Sequence, residues 1–120
     1  MRSLSRSTVS VAAIALALML AGCASPWEGT ELDEWGWYAC QDFAEGLGKA
    51  GGSDLAYQLR PAQRAEFVAG LAQASGLSTT PEIKDAAVVL GRTVDGSQSS
   101  WQLGLDTFAT RCLDRGFKAA

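Results

Sequence analysis

Ile83, Ala87, Leu90 and Val94 stand at offsets of four, seven and eleven, and Trp101, Leu105, Phe108 and Cys112 repeat those offsets. Apolar residues so spaced fall along one side of a helix with 3.6 residues per turn; a strand face repeats every second residue instead. Two successive amphipathic helices are therefore predicted for the C-terminal half. Their punctuation agrees. Thr80 as a cap, Pro81 at the first helical position and Glu82 in the first turn open the earlier helix, and Asp95-Gly96 closes it. Ser97 to Ser100 offer caps for the later helix, and Gly116 lies near its end.

The preceding stretch adds two more. Leu32, Trp35, Ala39, Cys40, Phe43, Leu47 and Ala50 follow three- and four-residue spacings. They predict a helix that begins near Thr30 or Glu31, with Thr30 and Asp33 as a weak capping box, and that ends at Gly51-Gly52. Gly36, Gly46 and Gly48 each weaken it by about 1 kcal/mol against Ala. Residues 53–60 read as an irregular connector that turns Leu55, Tyr57 and Leu59 inward. Pro61 opens the next helix, with Phe67, Val68, Leu71 and Ala74 or Ser75 buried, Arg64 and Gln73 outside, and Gly76 as its cap. Four helices on short connectors predict an all-α fold, a small up-down four-helix bundle.

The N-terminus has a different character. Arg2 and Arg6 precede Val9–Ala21, thirteen residues of Val, Ala, Ile, Leu and Met apart from Ser10. A positive start, a short apolar run and small residues at a cut describe a secretory signal peptide. A membrane-spanning helix needs about 20 apolar residues, so this run is too short for one.

At Leu20-Ala21-Gly22-Cys23 the chain resembles a bacterial lipoprotein precursor, with a Leu three positions before Cys and two small residues between. The resemblance covers residues 1–23 alone. It implies a diacylglycerol joined to Cys23 through a thioether and cleavage between Gly22 and Cys23, leaving 98 residues. The organisation expected is a cleaved signal peptide (1–22), a lipidated tether (23–30) and a helical domain (31–120). The expected location is outside the cytoplasm, on the cell membrane or outer membrane, with lipid held through Cys23 and no other cofactor. Once the resemblance gives Cys23 to lipid, Cys40 and Cys112 remain as a pair in a compartment where disulfides persist. Closing that loop of about 70 residues stabilises a chain by roughly 4 kcal/mol on the chain-entropy model. In an up-down bundle, the start of the first helix and the end of the fourth share one end, so topology and disulfide agree.

Charge and residue types narrow the function. Removing Arg2 and Arg6 leaves eight basic against thirteen acidic residues, a net charge of −5. No basic stripe is available for nucleic acid. The chain has no histidine, the commonest general base and metal ligand. The acidic residues do not follow calcium-loop spacing, and no glycine-rich phosphate loop is present. Adjacent Asp33 and Glu34 suit the positive end of a helix better than acid–base catalysis. Glu31, Asp33, Glu34 and Asp42 facing Arg111, Arg115 and Lys118 read as a solvated seam.

The aromatic residues leave a choice. Trp35 fits the core stripe, while Trp37 and Tyr38 fall off it and form a candidate binding patch. Trp27, four residues beyond Cys23, either rests at the lipid headgroups or docks on the domain. The expectation is a non-catalytic binding or accessory module of the cell envelope, meeting another envelope protein. The alternative is a carrier of a small apolar ligand or lipid inside the bundle. The end bearing Cys40, Cys112 and the seam is expected to face the membrane.

Overall fold

The first helix, α1 (Glu34–Ala50), starts three residues later than the capping-box reading predicts, because Asp33 and not Thr30 is the cap. The Asp33 carboxylate accepts from the Gly36 N–H at 3.0 Å, while Thr30 turns back on Trp27 with its hydroxyl donating to the Trp27 carbonyl at 2.6 Å. At the other end Gly51 and Gly52 have φ of +98° and +116°, a backbone conformation that only glycine adopts without strain. Their N–H groups cap the last turn by donating to the carbonyls of Gly48 and Leu47.

This computed structural model describes residues 24–119, and every helix in them is α. The stretch expected to be irregular instead forms a short helix, α2 (Ser53–Tyr57). It buries Ala56, whose carbonyl accepts the indole N–H of Trp101 at 2.9 Å. That bond satisfies the polar atom of the largest fully buried side chain. Helix α3 (Pro61–Leu77) opens on Pro61 as predicted but runs through Gly76 and stops at Ser78. Helix α4 (Pro81–Arg92) and helix α5 (Gln98–Asp114) complete the chain. Ser97 caps α5 by accepting from the Ser100 N–H at 3.1 Å.

Contacts between helix ends define the arrangement. At one end, Asp33 before α1 meets the Ser78–Thr80 connector between α3 and α4. Arg115, just after α5, joins them there: its carbonyl accepts from Glu31, and its guanidinium reaches Glu82 at the start of α4. At the opposite end, Arg64 near the start of α3 donates to the carbonyls of Val94 and Gly96 beyond α4.

The predicted stripe of α5 holds whole, and that of α4 holds as far as Leu90, Val94 lying beyond the helix end at Arg92. Ile83 and Leu90 are buried, with Ala87 and Val94 packed partly against them, and Trp101, Leu105, Phe108 and Cys112 are all buried. Phe43 stacks on Phe108 with ring centroids 4.7 Å apart, and its neighbour Phe67 stands edge-on both to it and to Trp101. Each such large apolar side chain contributes about 1.5–3 kcal/mol by leaving water.

Arg64 corrects the reading that placed it outside: it is only 6% exposed. Its Nε donates to the Leu59 carbonyl at 2.7 Å, and Nη1 donates to Val94 at 3.1 Å and Gly96 at 3.0 Å. The guanidinium carbon lies 5.5 Å from the Trp101 ring centre, so its cationic face is also satisfied. Five donors on a planar fork allow one side chain to close two loops at once.

Candidate functional site

Cys40 and Cys112 form the expected disulfide, with Cα atoms 5.8 Å apart and a sequence separation of 72. It ties the early part of α1 to the last turn of α5, at the end where Asp33 and Arg115 lie. Cys23 and the Leu20-Ala21-Gly22 motif lie outside the described residues. The residues that follow them are well fixed: Glu28 donates to the Ser25 carbonyl, Thr30 to that of Trp27, and Glu31 to that of Arg115. The stretch expected to be a tether is, from Ser25 onward, a docked turn.

Two tryptophans exchange their expected places. Trp37 is buried at 4% exposure, and Trp35 stands outside at 38%. The physical reason lies in the register. Stepping about 100° per residue from Cys40, Trp37 lies about 60° away and Trp35 about 140°. Pairwise spacing had joined Trp35 to Leu32, but Leu32 precedes the helix and its burial says nothing about a helical face. The candidate patch of Trp37 with Tyr38 therefore does not form as a pair. Tyr38 remains at the surface, 37% exposed.

What does form is a cluster centred on Tyr38. Its ring lies 5.8 Å from Trp27, 5.9 Å from Trp35 and 5.6 Å from Trp37, all tilted or edge-on. Trp37 passes the contact inward to Phe117 at 5.6 Å. Trp27, Trp35 and Tyr38 are thus an aromatic surface supported from beneath by buried rings. Among the described residues, none of these three uses its indole N–H or hydroxyl in a hydrogen bond within the protein. Residue spacing along α1 hides Trp27 from this cluster, because it comes from the segment before the helix.

Asp33 is the polar centre of the same end. Beyond Gly36, its carboxylate accepts from the hydroxyls of Ser78 and Thr80, each at 2.7 Å, and from the Thr79 N–H at 3.0 Å. Partial burial acts to raise its pKa, but these bonds to the ionised form outweigh it and hold the carboxyl well below the ordinary range. A Cβ on Gly36 would stand 2.6 Å from the Asp33 carboxylate, so the hub needs glycine there. Thr80 takes the N-cap position of α4 as expected, but its hydroxyl is directed at Asp33 and not at the helix's own N–H groups. Among the described residues, the charged seam reduces to Arg115 bridging Glu31 at 3.3 Å and Glu82 at 2.6 Å.

A cleft of about 450 Å³ opens between α1 and α3. Leu59, Phe67 and Ala50 lie in its lining, along with Asp42, Glu45, Glu66 and Lys49. Burial and the neighbouring Glu45 push the Asp42 carboxyl up, with Lys49 partly offsetting them. Among the described residues, no group of three or more acidic or cysteine side chains is placed to hold a metal ion. None of the described helices is long and apolar enough to cross a membrane. Comparison with protein-family models, curated proteins and solved structures finds no match.

Proposed function

We propose that the chain is an exported lipoprotein, anchored in a membrane through a diacylglycerol on Cys23, whose domain is a non-catalytic binding or accessory module of the cell envelope. The observation that carries this reading is the pairing of Cys40 with Cys112, which leaves Cys23 as the one remaining cysteine, at the end of Leu20-Ala21-Gly22-Cys23. A disulfide that closes so long a loop also fits an oxidising compartment. The architecture that accords with the contacts at both ends is an up-down four-helix bundle carrying one disulfide, α2 being an inserted turn.

The binding reading is preferred to the carrier because the space between the helices is filled by Trp101, Phe108, Leu71, Ile83, Leu90 and Leu105. The open cleft carries several carboxylates, which suit an apolar ligand poorly. A protein partner is best sought on the outer side of α4 and α5, where Val88, Val89 and Leu103 are exposed. Photo-crosslinking in living cells from position 89 tests this. Recovery of one envelope protein from that position, and not from position 54 on α2, is the expected result. Equal, diffuse labelling from both positions contradicts a specific partner.

A further inference from the structure

Trp27 and Trp35 both pack on Tyr38, all three are exposed or half-exposed, and among the described residues none is bonded through its polar tip. Rings of this kind, apolar in body and polar at the edge, partition to the boundary between headgroups and acyl chains. Their position selects the occupant. Ser25 is held in a turn by the Glu28 N–H at 3.1 Å, and Trp27 packs on Tyr38. Cys23 is two residues before Ser25, so chain geometry keeps its Cα within about 7 Å of that turn. A lipid on Cys23 therefore enters the bilayer beside the aromatic cluster, and a soluble partner has little room between them.

We propose that Trp27, Trp35 and Tyr38 form a bilayer-seating surface that inserts at the headgroup level and holds the domain in one orientation on the membrane. The inference rests on the lipoprotein reading of Cys23. The two acyl chains of a diacylglycerol suffice for attachment. What they leave open is the orientation of the domain, and the aromatic surface supplies it. Charge does not supply it: Glu28, Glu31 and Glu34, close in sequence to the cluster and exposed, are repelled by anionic headgroups. Seating is therefore driven by the rings and is not weakened by salt, which screens that repulsion. The helix ends carrying Gly51 and Gly96 are held away from the lipid, and the outer side of α4 and α5 stays accessible.

The test uses the processed protein purified from membranes and reconstituted in phosphatidylethanolamine–phosphatidylglycerol vesicles whose acyl chains are brominated near the headgroup. Bromine quenches tryptophan only on close approach. Part of the wild-type emission is expected to be quenched, and no less at high salt than at low. That part is lost in the Trp27→Phe/Trp35→Phe variant, whose buried Trp37 and Trp101 serve as the internal reference. If the double variant fails to fold, Trp35→Phe alone supplies the comparison, since Trp35 is outside the core. Equal quenching of wild type and variant overturns the proposal, as does release of quenching by salt. A crosslinker at position 38 that captures lipid supports it; capture of a protein there overturns it. Mass spectrometry of the same sample separates the two layers of the argument. Lipidated Cys23 without quenching overturns the seating alone, whereas unmodified Cys23 overturns the lipoprotein reading and the seating with it.

Discussion

The Asp33 carboxylate joins three segments of the chain: the turn before α1, the first turn of α1, and the connector from α3 to α4. Asp33→Asn removes the charge from four accepted bonds and is expected to lower stability by about 1–2 kcal/mol. The pH dependence follows from its lowered pKa. A group whose folded pKa lies below its unfolded value stabilises the fold above the unfolded value, near pH 4, and loses that contribution as pH falls further. Unfolding of wild type and Asp33→Asn, followed by circular dichroism, should therefore differ clearly at pH 7 and converge in acid. A gap that persists unchanged to low pH contradicts this. The tryptophans give a second comparison. Trp37→Ala should cost about 3–5 kcal/mol as a core truncation. Trp35→Ala should stay within about 0.5 kcal/mol, as a surface change does. Arg64→Lys should cost about 2–3 kcal/mol in denaturant unfolding, because an ammonium cannot serve three carbonyls and a ring in the fork geometry.

Between elements, the Cys40–Cys112 bond is the only covalent link among the described helices, and its loop spans 72 residues. Reduction is expected to lower unfolding stability by about 4 kcal/mol on the chain-entropy model, measured by denaturant titration with and without reductant. How far the elements could be read in advance depends on what defines each. The stripes at Ile83–Val94 and Trp101–Cys112 were legible because burial on one helical side leaves a repeating pattern. Pro61, Pro81 and Ser97 were legible because they act on their own turns. Asp33 was not, because its principal partners lie some 45 residues away at Ser78 and Thr80. Arg64 was misplaced for the same reason: its carbonyls at Val94 and Gly96 are brought to it only by the packing of α3 against α4. The helix α2 is too short to show a period, and Trp35 was misassigned through a spacing drawn across a helix start.

At the scale of the molecule, the two ends differ in kind. One collects the disulfide, the Asp33 hub, the Arg115 bridges and the aromatic surface; the other collects glycine turns and the Arg64 clasp. A chain held through Cys23 is attached at the first of these, so the strongest ties in the fold lie where a membrane anchor would pull. Everything in this orientation depends on the anchor. The most direct test is mass spectrometry of the N-terminal peptide of the protein recovered from its own cell membranes. The account predicts a chain that begins at Cys23 and carries a diacylglycerol on its sulfur. A chain that retains residues 1–22, or one with a free thiol at Cys23, contradicts it.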